Sequence, residues 1–106
     1  MQKKKNQISN LSQKVYDIVS QIPKGKVLTY KEVARRAGIK NPRLVGMALH
    51  RNTDPKHIPC HRVVRSDGAL AGYAFGGIKA KSILLQQEGV TFIKQRVDLK
   101  KSISTQ

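Results

Sequence analysis

Cys60, His61 and Arg62 stand side by side in Ile58-Pro59-Cys60-His61-Arg62-Val63-Val64, a stretch that holds the only cysteine of the 106-residue chain. A cysteine attacks through its thiolate, which a neighbouring imidazole or guanidinium favours. Chemistry here would therefore be nucleophilic, with Cys60 forming a covalent bond. Pro59 fixes its own φ and steers Ile58 away from helix, and the β-branched Val63-Val64 pair favours extended backbone, so the sulfur is presented on a rigid corner. A lone cysteine in a small domain is more often a buried space-filler. Two groups able to carry positive charge directly after it move the balance toward function.

The elements that must position this corner follow from periodicity and caps. Leu11, Val15, Ile18, Val19 and Ile22 recur at helical spacing behind Asn10 as a cap, which predicts a first helix to about Gln21, ended by Pro23 and Gly25. Val27-Leu28 is extended. Thr29 and Glu32 have capping-box spacing and open a second helix with Tyr30, Val33, Ala34 and Ala37 inward and Gly38 at its end. Asn41 and Pro42 open a third, with Leu44, Val45, Ala48 and Leu49 as its buried stripe, Arg43 off that stripe, and Gly46 leaving a gap where another backbone could approach. Two short helices around a glycine-containing turn form the helix-turn-helix pattern. Asn52 and Thr53 end the third helix, and Asp54-Pro55 turns toward the cysteine.

Beyond the cysteine, Ser66-Asp67-Gly68 predicts a turn between Arg62–Arg65 and Ala69–Ala71, and hence a small hairpin. Gly72 to Gly77 is a loop with two aromatics, Tyr73 and Phe75, either a substrate lid or a plain connection, with Phe75 alternatively a core residue. Ile78 to Gln87 reads as a fourth helix with Ile78, Ile83, Leu84 and Leu85 inward, reaching Glu88-Gly89-Val90. The tail from Phe92 is expected to be partly ordered at most. The fold class is mostly α, a winged-helix-like helix-turn-helix domain with a small β-hairpin. It divides into a basic flexible arm (1–9), the domain (10–92) and a basic tail (93–106).

Charge sets the class of partner. Lys plus Arg number 21 against 6 Asp plus Glu, a formal +15, and so large an excess repels itself unless a polyanion neutralises it. Nucleic acid is the expected partner. A membrane surface suits the chain less, because its basic residues are spread over the domain and no helix opposes a broad apolar face to a basic one. No apolar run of about 18 residues and no signal-peptide stretch occurs, which predicts a soluble, intracellular protein of the cytoplasm or nucleoid. One cysteine and no spaced histidine pair leave no structural metal site.

The string Pro59-Cys60-His61-Arg62-Val63-Val64 resembles the active-site signature of the alkylguanine-DNA alkyltransferases, which move an alkyl group from the O6 atom of guanine to their own cysteine. The resemblance runs from about Val15 to Val90 and covers only the DNA-binding, C-terminal domain of that family. It implies that Cys60 attacks, that His61 acts as base through a bridging water, that Glu88 orients the imidazole, that Asn52 braces the turn under the site, and that Tyr73 walls the pocket and binds or protonates the leaving guanine. Arg43-Leu44-Val45-Gly46 fits the family's R-x-V-G pattern, in which the arginine fills the stack in place of a flipped nucleotide.

Tyr30, Gly46, Arg51 and Arg62 join Arg43 as expected DNA contacts. The residues alone leave other roles open: Arg43 as a phosphate contact or solvated charge, Asn52 as a helix C-cap, and Glu88 as an exposed helix-end residue. The implied partner is double-stranded DNA containing O6-alkylguanine, met by a monomer without a cofactor, with other repair proteins as further partners. A sister group, the alkyltransferase-like proteins, shares the short architecture but carries tryptophan where this chain keeps Cys60. Two readings follow, stoichiometric alkyl transfer and lesion binding without chemistry. A third, an ordinary helix-turn-helix regulator, leaves the cysteine motif unused.

Overall fold

A computed structural model describes residues 2–105, with side chains described from residue 10 onward. The side chains of the segment read as a basic arm, 1–9, lie outside the described residues. Helix α1 spans Gln2–Ser20, so Asn10 sits within it and does not cap it. Val15, Val19 and Ile22 give α1 its buried stripe, while Leu11 remains largely exposed. Strand β1 (Leu28–Thr29) leads into α2 (Tyr30–Ala37), whose first turn is capped by Thr29 Oγ1 accepting from the Glu32 amide at 3.1 Å. The reciprocal half of the capping box is not made. The Glu32 carboxylate instead accepts from Arg35 and Arg36, which hold it down at about 2.

Gly38, at φ 72°, ends α2 and accounts for the glycine there, since a left-handed residue with a Cβ is strained. After a four-residue turn, Asn41 Oδ1 caps α3 (Pro42–His50) by accepting from the Arg43 amide. Helices α1, α2 and α3 pack around Val15, Val19, Val33, Ala34, Val45 and Leu49. Leu44, expected in the buried stripe of α3, lies at the surface. This helix-turn-helix trio is one half of the domain.

The other half is built around the cysteine segment. Cys60–Arg62 form a 3-10 turn, followed by β2 (Val63–Val64), which pairs in parallel with β1 through Leu28↔Val63 and Thr29↔Val64. Val63 and Val64 are fully buried, and no strand follows Ser66–Gly68 to pair with the other edge of β2. The turn there is closed by the Gly68 amide donating to Arg65 O at 2.9 Å and the Arg65 amide to Ala69 O at 3.0 Å, and the pairing goes no further. The hairpin lies instead in the tail, as antiparallel β3 (Phe92–Ile93) and β4 (Arg96–Val97), before a short α5 (Leu99–Ser102).

The tail is ordered throughout its described length because it completes the second core. Val97 packs with Val27, Val64, Leu85 and Val90, and Ile103 bridges Val27 in parallel, with the Val27 amide donating to Ser102 O and the Ser104 amide to Val27 O, each at 2.8 Å. Truncation after Val90 is expected to lower stability by about 2 kcal/mol or more, the worth of one buried valine and its neighbours. Thermal unfolding checks this. Helix α4 (Gly77–Gln87) turns Leu85 and Lys81 inward, not the Ile78 and Ile83 anticipated from periodicity, which are exposed. No helix among the described residues is long and apolar enough to cross a membrane.

Candidate active site

The segment from α3 to the cysteine is held by Asn52. Its Oδ1 accepts from the Asp54 amide and its Nδ2 donates to Ile58 O, both at 2.9 Å, and the side chain is buried. Arg51, not Asn52, occupies the C-cap of α3, so Asn52 braces the following loop. The Cys60 amide then donates to Ile58 O at 2.7 Å and the Arg62 amide to Pro59 O at 2.9 Å, fixing the tight turn that carries the thiol. Cys60 is 5% exposed and lies in an open cleft of about 540 Å³, whose walls include Tyr30, Gly46, Leu49, His50, Tyr73 and Ile78. Residues from α2, α3, α4 and the glycine loop thus converge on one sulfur.

Beside the thiol lies a buried polar cluster. His61 Nε2 is 3.0 Å from Glu88 Oε2, and Arg62 donates through Nε to Oε1 at 2.9 Å and through an Nη to Oε2 at 2.7 Å. A third Arg62 donor reaches Ile22 O at 2.8 Å. Three Arg62 donors are thus spent on partners within the protein. A bidentate arginine is the strongest partner a carboxylate finds in a protein.

Burial alone would push Glu88 up, but the hydrogen bonds from Arg62 and His61 outweigh it and hold the carboxyl below its ordinary value. Burial lowers His61 below its ordinary value, partly countered by Glu88. The imidazole is accordingly neutral near pH 7. Because the carboxylate accepts from Nε2–H, the lone pair sits on Nδ1, which is buried and has no hydrogen-bond partner among the described residues. A neutral imidazole with an oriented, unused lone pair is what a general base requires.

Lys81 escaped the sequence reading. It is 1% exposed, and no carboxylate among the described residues pairs with it. Its Nζ donates to Ala71 O at 3.4 Å and lies 5.6 Å from the centroid of the Tyr30 ring. Burial lowers it to about 8, while the electrostatic influence of Cys60 acts in the opposite sense. The available signal was spacing: Lys81 shares a helical face with Leu85 and Glu88, at i+4 and i+7. Burial raises Tyr30 and Tyr73 above the ordinary phenol value, with the Cys60 charge adding to it, so both line the cleft as protonated donors.

Tyr73 also meets the His61 ring edge-on at 6.3 Å and Phe75 at 5.6 Å. Phe75 is exposed, which rules out the core role considered for it. His50, which also lines the cleft, was likewise not singled out by sequence. Arg43 and Arg51 lie exposed at opposite ends of α3 and make no ion pair among the described residues.

Fold and site together define a helix-turn-helix domain with a thiol-bearing cleft beside its second helix. Residues 10–90 match the model of the 6-O-methylguanine DNA methyltransferase, DNA binding domain, and the chain belongs to that family. It is 56% identical over 78 residues to the methylated-DNA–protein-cysteine methyltransferase of Methanothermobacter thermautotrophicus, covering 74% of this chain and 43% of that protein. The enzyme of the same name from Methanocaldococcus jannaschii is 42% identical over 84% of this chain and 52% of its own length. The chain thus spans about half the length of these relatives.

Among solved structures, Mycobacterium tuberculosis OGT in complex with DNA superposes with a TM-score of 0.70 at 38% identity, over 74% of this chain and 48% of that one. S. pombe Atl1, in complex with damaged DNA containing O6-carboxymethylguanine, superposes at 0.78 and 30% identity over 92% of this chain and 97% of its own.

Proposed function

We propose that this protein repairs DNA by transferring a methyl or other alkyl group from O6-alkylguanine to Cys60, once per molecule. The observation that carries the reading is the buried Cys60 thiol at the cleft, next to a neutral histidine held by Glu88. The thiol proton passes to His61 Nδ1, through a bridging water where one is present. The thiolate attacks the alkyl carbon, a C–S bond forms, the C–O6 bond breaks, and its electron pair returns to the guanine, which takes a proton from Tyr73; the phenolate regains one from the His61 imidazolium through solvent. Glu88 stabilises the imidazolium, and the nearby Lys81 cation favours the thiolate. The thioether does not hydrolyse, which makes the reaction stoichiometric. No cofactor enters.

The target atom is hidden in duplex DNA, so the nucleotide must be turned out at a cost of a few kcal/mol, which Arg43 offsets by filling the stack. Arg51 and the net charge of +15 supply phosphate contacts as a monomer approaches. A second reading, a lesion-binding protein that marks alkylguanine for other repair proteins, is favoured by the likeness in fold to Atl1.

Intact-protein mass after incubation with an O6-methylguanine duplex separates the two. The expected result is a gain of one methyl group, mapped to Cys60 and lost in Cys60→Ser. Lesion-selective binding with no gain in mass would replace the first reading by the second.

A further inference from the structure

The β3–β4 hairpin lies beyond residues 10–90, the part of the chain that matches the family, and its segment is strongly basic. Residues 91–106 hold Lys94, Arg96, Lys100 and Lys101 against one acid, Asp98. This charge is held rigidly. Val97 is buried, its amide donates to Gly68 O at 2.9 Å, and a Cβ on Gly68 would overlap Val97 O, so the hairpin is seated directly on the Ser66–Gly68 turn. Asp98 is engaged as the cap of α5, accepting from the Lys100 amide at 3.1 Å.

The tip carries a cost that the turn itself does not require. Ile93 pairs with Arg96, which leaves Lys94 and Gln95 as a two-residue loop. Lys94 sits at φ 58°, the one non-glycine residue at positive φ among the described residues. Two-residue hairpin loops favour glycine, asparagine or aspartate at such a position, because most residues with a Cβ are strained there. What lysine adds over these is a long cationic side chain. That side chain is exposed and makes no ion pair among the described residues. Arg96, beside it, pairs with the exposed Asp67 at 3.4 Å, a contact worth little in water.

The surroundings of the tip identify what this charge would meet. A groove between the tip and α4 is lined by Lys79, Lys94 and Arg96 without a carboxylate, and it adjoins the Cys60 cleft across Ile78, which lines both. On its other side the tip shares a groove with Ser66, and Ser66 also borders the groove that holds Lys31, Lys40 and Pro42 of the helix-turn-helix. The basic tip thus borders surfaces that lead both to the helix-turn-helix and to the thiol.

We propose that the β3–β4 hairpin is a wing that grips the DNA backbone, with Lys94 and Arg96 contacting phosphates beside the nucleotide held in the cleft. Repeated like charges on a rigid tip match a chain of phosphates, and such contacts position DNA without reading its sequence. The inference rests on the reading of DNA as partner and is independent of the chemistry at Cys60.

The test measures affinity for an undamaged duplex across a series of salt concentrations, for the parent, Lys94→Gly, Arg96→Gln and the double variant. Lys14→Gln serves as control, since Lys14 is exposed on α1 and lines none of these grooves. Each single variant should bind more weakly and flatten the slope of log K against log salt by about 0.9, and the double variant by about twice that, one phosphate contact being lost with each cation. Lys14→Gln should keep the parent slope. Lys94→Gly should melt at or above the parent temperature, because glycine relieves the positive φ, which separates lost binding from lost folding.

Parent slopes in both hairpin variants would overturn the proposal. An equal flattening in Lys14→Gln would also overturn it, because the slope would then follow net charge and not the hairpin. A parent that binds no duplex at any salt concentration would sink the DNA reading and the wing together, whereas binding with the slope unmoved would sink the wing alone.

Discussion

Lys81→Met should be more stable than the parent and slower at alkyl transfer, opposite signs from one substitution. The lysine is buried and lowered from 10.5 to about 8. Below pH 8 both the folded and the unfolded chain carry that proton, and folding bears the whole penalty of burying the charge. A shift of this size corresponds to roughly 3 kcal/mol at about 1.4 kcal/mol per unit. Methionine removes the penalty at similar volume but gives up the contacts with Ala71 O and the Tyr30 ring. A net gain of about 2 kcal/mol, or roughly 10 °C in melting temperature, is expected for a domain of this length.

The advantage has a pH signature. Between 8 and 10.5 the unfolded lysine keeps a proton that the folded one has lost, so parent stability rises with pH. The gap between variant and parent therefore closes across that window. Denaturant melts at pH 7, 9 and 11 would show it, and a gap independent of pH would mean that the lysine is not held as a buried cation. The transfer rate at neutral pH should fall about tenfold, equivalent to ~1.4 kcal/mol in the barrier, because the thiolate loses its nearby cation. A rate equal to the parent's would remove Lys81 from the mechanism.

Lys81 also marks where the sequence stopped being informative. Capping chemistry was legible at α2 and α3 because it is local: Thr29, Gly38, Asn41 and Pro42 each act within a few residues. Cys60 stands out in the sequence through its type and its neighbours, whereas the sequence offers Tyr30 only as an inward helix residue and Gly46 only as a gap in a helix surface; Tyr73 as a pocket wall and the pairing of Glu88 with His61, 27 residues apart, come through family resemblance. Sequence alone suggests an exposed cationic role for Arg62, the default for arginine, whereas its side chain bonds Glu88 in the fold. What draws it inward is Glu88, a partner that no local pattern reveals.

The hairpin was misplaced for a related reason. The Ser66–Gly68 turn is real, but Ala69–Ala71 does not run on beside β2, whose strand partner is β1, more than thirty residues earlier. Ile78 and Ile83 read as core by hydropathy, yet α4 turns Lys81 and Leu85 inward and leaves both isoleucines exposed. The ordered tail depends on Val97 and Ile103 finding Val27, which is a tertiary event.

Glu88→Gln is expected to have the largest destabilising effect, and its pH profile identifies the cause. The substitution leaves the Arg62 guanidinium inside the protein with its anion gone, and breaking a buried pair from one side costs about 3–5 kcal/mol. Against a total of roughly 5–15 kcal/mol, the variant should fold at 25 °C and be largely lost on warming. Adding Arg62→Met should recover part of that stability, since removing both partners avoids the stranded charge.

The same carboxylate helps His61 to hold a proton, against the burial that lowers it. In the parent, transfer should fall in acid as His61 takes up its proton and ceases to be a base. In Glu88→Gln that acid limb should move to lower pH while the plateau rate drops, because the imidazole is then a weaker base with no anion to stabilise its charged form. Stability at low pH follows the same groups. Glu88 is held below its ordinary value, so its contribution is present above about 4.5, the ordinary glutamate value, and is lost as the pH falls through the folded value. His61 is also lowered, so the unfolded chain takes up its proton first and acid destabilises the parent further below about 6.5, the ordinary histidine value. Rate–pH profiles and melts of the single and double variants read these effects separately. A limb that stays in place while stability falls would confine Glu88 to holding Arg62.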